Sequence, residues 1–228
     1  MTTAVDARPH LALALDVDDL VSALRLARDL EPYFGVAKVG LELFSAAGPD
    51  AVSSLMDLGY DVFLDLKLHD IPTTVHKAAR VVGAYGARYL TIHAMGGPVM
   101  VRAGVEGFRE GAEAAGFDHA VPLAVTVLTS DNGAPPHVLP NRVATAIEAG
   151  AGGLVCAGTD IAGVRLLAPR LTLVVPGTRP PGAPVHDQAR VTTPGEALAA
   201  GADLLVIGRV VTDAADPVAA AAELVGGL

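Results

Sequence analysis

Asp61-Val62-Phe63-Leu64-Asp65-Leu66-Lys67-Leu68-His69-Asp70-Ile71-Pro72-Thr73-Thr74 carries most of what this chain says about its own architecture. Residues 61–68 have the apolar content of a buried strand. Side chains alternate along a strand, so Val62, Leu64, Leu66 and Leu68 take one face and Phe63, Asp65 and Lys67 the other. A carboxylate and an ammonium therefore leave one end of a buried strand side by side. Asp70 follows just past that end, and Ile71-Pro72 turns the chain toward a helical pattern over 73–85. Burying charges is costly unless they pair, which marks this strand end as a candidate active site.

Outward from it, the same unit repeats. Apolar runs at 11–17, 35–43, 60–68, 88–95, 121–129, 152–158, 171–177 and 203–210 read as strands. Amphipathic stretches at 19–31, 49–58, 73–85, 98–115, 140–149, 160–168, 194–200 and 216–226 read as helices. Gly59, Gly86, Gly116, Gly150 and Gly201 stand where C-terminal helix caps belong. Eight strands alternating with eight helices, strand first, predict a closed parallel (β/α)8 barrel of the TIM type, formed as one domain over residues 1–228. An open doubly wound sheet is the competitor, but no G-x-G-x-x-G follows the first strand.

A barrel of this kind keeps its working residues at the C-terminal ends of its strands. The polar residues collect there: Asp16 after strand one, Lys38 beside Gly40 and Glu42 on strand two, Asp65 and Lys67 on strand three, His93 on strand four, and Thr129-Ser130 after strand five. Only three of the 16 basic residues are lysines, and two of them, Lys38 and Lys67, lie inside apolar strand patterns, while Lys77 lies on a helix and reads as surface. A compact ammonium is not interchangeable with a guanidinium. Strand seven closes in Pro176-Gly177-Thr178-Arg179 and strand eight in Gly208-Arg209, the two loops that usually hold phosphate in such barrels. Residues 178–193 form the longest predicted loop, from which Gln188 would reach the same anion. Asp16 is also a candidate helix cap, in competition with Asp18 and Asp19. His93 reads as a supporting or core histidine, His69 as a loop-orienting one, and Cys156 as a small buried hydrophobe. The remaining histidines have no metal-ligand spacing.

Composition narrows the class. The chain has 228 residues, 51% of them hydrophobic, and a net charge of −9. That charge argues against general nucleic-acid binding and requires any phosphate site to be a local cluster of donors. A single cysteine excludes an internal disulfide. With no apolar leader and no run long enough to span a membrane, the expectation is a soluble cytoplasmic protein.

Taken together, Leu15-Asp16, Lys38-Val39-Gly40, Asp65-Leu66-Lys67-Leu68-His69-Asp70-Ile71-Pro72-Thr73-Thr74, Ile92-His93-Ala94, Leu128-Thr129-Ser130, Pro176-Gly177-Thr178-Arg179-Pro180, Asp187-Gln188 and Gly208-Arg209 resemble the orotidine 5′-monophosphate decarboxylase family over nearly the whole chain. A bare D-x-K-x-x-D is shared with related phosphosugar barrels; His69 and the Ile-Pro-x-Thr that follows sharpen it. The resemblance implies conversion of orotidine 5′-monophosphate to uridine 5′-monophosphate and CO2, without cofactor or metal. It also implies a homodimer in which Asp70, Ile71 and Thr74 reach the partner's site. Asp16 and Lys38 would hold the ribose, Thr129 or its neighbour Ser130 the pyrimidine, and Arg179, Gln188, Gly208 and Arg209 the phosphate. Thr178 and Val210 depart from the family pattern, which favours an apolar residue and a proline there.

On this reading Lys67 stabilises the carbanion left at C6 and protonates it, with Asp65 and Asp70 flanking its ammonium and Lys38 extending the array. Two other readings compete. A phosphosugar enzyme of the same barrel type would need Mg²⁺ for an enediolate, and a catalytically dead barrel would bind a nucleotide without turnover.

Overall fold

The computed structural model describes residues 7–131, 133–179 and 192–228. Eight parallel strands close on themselves: β1 (Leu11–Ala14), β2 (Val36–Gly40), β3 (Asp61–Leu68), β4 (Tyr89–His93), β5 (Val121–Val125), β6 (Gly153–Val155), β7 (Thr172–Pro176) and β8 (Leu204–Ile207). Each pairs with the next in sequence, and β8 returns to β1 with Leu205 opposite Leu11. The helices are α1 (Leu20–Leu30), α2 (Leu41–Ala47), α3 (Pro49–Asp57), α4 (Pro72–Gly83), α5 (Gly97–Ala114), α6 (Val138–Glu148), α7 (Ile161–Leu167), α8 (Pro194–Ala199), α9 (Arg209–Thr212) and α10 (Pro217–Gly226). This is the (β/α)8 TIM-barrel architecture that the alternation of runs predicts.

Strand β1 shows why it forms. In Leu11-Ala12-Leu13-Ala14 the leucines face outward into the shell between strands and helices, and the alanines face the interior. That interior is filled by Ala12, Ala14, Val36, Phe63, Tyr89, Leu123, Val174, Leu204 and Val206. Phe63 and Tyr89 meet edge to face, with ring centroids 5.9 Å apart. The barrel is thus solid below, and its mouth is the space left for chemistry.

The outer shell is tightest between α4 and α5. A Cβ at Gly107 would overlap the carbonyl oxygen of His76, one at Gly111 that of Arg80, and one at Gly83 that of Phe108. All five glycines expected to close helices have positive φ. Asp19 caps α1, its carboxylate accepting the Ser22 N–H at 2.8 Å, and hydrogen bonding from the Ser22 side chain and then its backbone lowers the Asp19 pKa. Asp16 is thereby left for the site.

Strand ends differ from the sequence reading in a consistent way. The second run, 35–43, divides: β2 stops at Gly40, and Leu41-Glu42-Leu43-Phe44 begins α2. Glu42 therefore does not share a strand face with Lys38. Its neighbours are good helix formers, and apolar content alone does not separate a strand from the helix that continues it. Likewise β5 ends at Val125, leaving Thr129 in the loop beyond, and Arg209 opens α9 rather than ending β8.

Candidate active site

Four charged side chains of alternating sign line the mouth. Lys38 Nζ donates to Asp16 Oδ1 at 2.9 Å and lies 3.9 Å from Asp65 Oδ2, which receives Lys67 Nζ at 2.8 Å. The two ends of the row are the most exposed: the Asp16 side chain is 59% exposed and Lys67 32%, against 9% for Lys38 and 17% for Asp65. Each interior charge has an opposite charge on both sides, which offsets the desolvation that a lone buried ion would suffer. Gly40 makes room for the row, since a Cβ there would stand 3.0 Å from Asp16 Oδ1 and 3.1 Å from Lys38 Nζ.

Strand β3 is not regular at this end. Leu64 pairs with Leu90 and Leu68 with Ile92, so four residues of β3 span what two span on β4. Within the irregularity Lys67 has φ +50°, the one positive φ outside glycine among the described residues. Such a backbone is disfavoured for any residue with a Cβ and marks strain at functional sites. The Lys67 N–H donates to Thr91 Oγ1 at 2.9 Å, and that hydroxyl donates to Asp65 Oδ1 at 3.0 Å.

Two adjoining lobes open beside the row. One, of about 200 Å³, is lined by Asp16, Lys38, Asp65, Gly177, Thr178, Arg179, Gly208 and Arg209 among others. The second, of about 150 Å³, is lined by Phe63, Lys67, Val125, Thr129, Val155 and Cys156 among others. Lys38, Asp65, Pro176 and Val206 belong to both. The first lobe is polar and suits an anion; the second is mostly apolar and suits a flat ring. Thr129 lines the second lobe and Ser130 does not.

The anion lobe has an unusual wall. Gly177 turns with φ +79°, sending Thr178 and Arg179 inward, where they are 3% and 6% exposed. Among the described residues, Thr178 Oγ1 and Arg179 Nε are buried without hydrogen-bond partners. Buried polar groups in folded proteins are nearly always satisfied, so this pair points to a ligand that supplies oxygen acceptors. The Arg179 N–H donates to the Thr192 carbonyl at 3.0 Å.

The structure thus gathers Asp16, Lys38, Asp65, Lys67, Thr129, Arg179, Gly208 and Arg209 around one mouth. It does not bring Asp70 to Lys67 within the chain: Asp70 is exposed and its carboxylate accepts the Ile71 N–H at 2.6 Å. Within the chain Asp65 alone flanks Lys67, because the chain turns outward at Ile71-Pro72 and carries Asp70 away from its own site. Thr74 is exposed on the first turn of α4. Gln188 lies outside the described residues. Sequence reasoning passed over Thr91, although it lies two positions before His93 on the inward face of β4. His93 lies beside His69, with ring centroids 5.8 Å apart and the rings tilted at 52°, and its pKa is pushed down by burial and then by His69 and Lys67. Among the described residues, no group of three or more His, Cys, Asp or Glu is placed to hold a metal ion, and no helix is long and apolar enough to cross a membrane.

Comparison with known proteins agrees with this geometry. Residues 9–224 match the Orotidine 5′-phosphate decarboxylase / HUMPS family. The chain is 49% identical to the orotidine 5′-phosphate decarboxylase of Anaeromyxobacter dehalogenans, covering 96% of this chain and 98% of that one. It is 48% identical to the Thermobifida fusca enzyme of the same name, covering 96% and 95%. The crystal structure of orotidine 5′-phosphate decarboxylase from Lactobacillus acidophilus superposes with a TM-score of 0.79 at 32% identity, over 94% of this chain and 96% of that one. With a family match over nearly its whole length and relatives near half identity, the chain belongs to the orotidine 5′-phosphate decarboxylase / HUMPS family.

Proposed function

We propose that the chain decarboxylates orotidine 5′-monophosphate to uridine 5′-monophosphate, the last step of de novo pyrimidine synthesis, with no metal or cofactor. The observation that carries the reading is the sign-alternating row ending in Lys67, set beside a mostly apolar lobe and an anion lobe in which the buried Arg179 Nε has no partner among the described residues. The phosphate sits with Arg179, Arg209 and Gly208, and with Gln188 from the loop. The ribose meets Asp16 and Lys38, and the pyrimidine meets Thr129. The bond from C6 to the carboxylate breaks, CO2 leaves, and the electron pair stays on C6. Lys67 Nζ, fixed by Asp65, stabilises that charge and gives C6 a proton; solvent then restores the ammonium. Phosphate binding drives the approach of the substrate carboxylate to the charged row.

Asp65 also favours this chemistry over a metal-assisted enediolate. Its Oδ1 receives Thr91 and its Oδ2 receives Lys67, with Lys38 beyond, which leaves this carboxylate poorly placed to take a divalent cation.

The active form is a homodimer in which Asp70, Ile71 and Thr74 complete the partner's site. Among the described residues Asp70 makes no ion pair, and Ile71 and Met95 on the neighbouring β3–α4 and β4–α5 connections, with Val99 in the first turn of α5, expose apolar side chains. A phosphorylated intermediate of this pathway is retained in the cytoplasm, and the chain works there.

The test follows the orotate absorbance of orotidine 5′-monophosphate with purified protein and excess EDTA. Loss of the signal, absent for Lys67→Ala, supports the reading. Activity only on sugar phosphates with Mg²⁺ moves the chain to a phosphosugar reaction, and binding without turnover makes it a nucleotide-binding barrel.

A further inference from the structure

We infer that Thr91 is a positioning residue for this reaction, holding the carboxylate of Asp65 and the main chain of Lys67 through one hydroxyl; the inference rests on the decarboxylation proposed above. Thr91 lies in the middle of β4 and is fully buried. A hydroxyl has one proton to give and two lone pairs to receive. The Thr91 proton goes to Asp65 Oδ1, and one lone pair takes the Lys67 N–H. With Oδ1 so engaged, Oδ2 is the oxygen presented to Lys67 Nζ and Lys38 Nζ.

The strand irregularity explains why a side chain is needed. Between Leu64 and Leu68 the regular β3–β4 pairing lapses, and the Lys67 N–H finds a side-chain acceptor instead of a ladder carbonyl. Left without an acceptor, that N–H would be a buried orphan and the left-handed backbone of Lys67 would lose its anchor. One atom therefore sets both the point from which the Lys67 side chain starts and the direction in which the Asp65 carboxylate faces. Valine keeps the shape of threonine and supplies neither bond; serine keeps both bonds and loses only a methyl group.

Kinetics of Thr91→Val and Thr91→Ser, with uridine 5′-monophosphate affinity and thermal midpoints measured on the same preparations, test the role. Misplacing a reacting group slightly costs on the order of 10–100-fold in rate. Thr91→Val should lose about that in kcat, while its affinity for uridine 5′-monophosphate stays near that of the parent and Thr91→Ser recovers most of kcat. Should Thr91→Val fail to fold, Thr91→Ala against Thr91→Ser asks the same question, since the two differ only in the hydroxyl. A serine variant no better than alanine, or a valine variant with parental kcat, overturns the inference. So does a parallel loss of kcat, nucleotide affinity and thermal midpoint in Thr91→Val, which would mark a packing role. A parent protein inert toward orotidine 5′-monophosphate removes the proposed function itself, and is recognised before any variant is compared.

Discussion

On the wall built by β1, β2 and β3, Asp16, Lys38, Asp65 and Lys67 meet their opposites within the chain. On the facing wall, after β7, Arg179 and Thr178 are buried with polar atoms unmatched. The first wall is complete before substrate arrives, so its groups need little rearrangement during the reaction, which is the condition under which fixed charges lower a barrier most. The second has buried polar atoms left over, which the phosphate of the proposed substrate would engage. On the proposed function, catalysis and capture would be divided between a saturated wall and an unsaturated one.

The largest effect expected of any change falls on the saturated wall. Lys67→Ala should lower kcat by on the order of 10³-fold or more while product nucleotide still binds, as read by single-turnover assay and calorimetry. Turnover near that of the parent would end the division at once.

Arg179→Met tests the other wall, and its two readouts should move in opposite directions. Losing a hydrogen bond to a charged group costs about 1.5–3 kcal/mol, or about 10–100-fold in affinity for the phosphorylated substrate. The ligand-free protein should melt higher, because a buried guanidinium whose Nε finds no hydrogen-bond partner among the described residues is replaced by an apolar side chain. A lower melting point without ligand would show that Arg179 has a structural partner after all.

Gly40→Ala sharpens the comparison from the edge of the saturated wall. Its methyl group would press on Asp16 and Lys38, and a displacement well under an ångström predicts a loss of about tenfold in kcat/KM, with thermal stability nearly unchanged. An unaffected kcat/KM would mean that the row tolerates rearrangement and is less fixed than its distances suggest.

His93 gives the smallest effect. Burial, then His69 and Lys67, hold its pKa below the ordinary histidine value. As pH falls, the unfolded chain takes up this proton first, so the contribution to stability is complete above about pH 6.5 and is lost progressively below it. His93→Gln should therefore lose less thermal stability than the parent between about pH 7 and 5.5. Identical slopes would assign the acid sensitivity elsewhere.

The fold was legible because parallel barrel strands, covered on both sides, read as continuous apolar runs. Strand ends were less so, since Leu41 and Leu43 continue the apolar run of β2 into a helix, and Val127 and Leu128 extend that of β5 into a loop that lines the site. Asp16, Lys38, Asp65 and Lys67 stood out as charges within apolar surroundings. Thr91 did not, because a threonine in a strand is unremarkable until its two bonds are seen. The left-handed backbone of Lys67 had no signal either, lysine being no turn residue, and the place of Asp70 depends on an outward turn that a one-dimensional pattern does not measure. The unmatched state of Arg179 appears only when its surroundings are known.

The glycine seam between α4 and α5 leaves that helix pair no slack, and Asp70 and Thr74 lie just before and within the first turn of α4. In the proposed dimer these residues reach the neighbour already ordered, so little conformational freedom remains to be surrendered on docking. A methyl group at Gly107 or Gly111 would then spread the pair and displace residues used next door. Such a change would leave its own chain's charged row intact and show its defect in the other subunit, a phenotype expressed in trans.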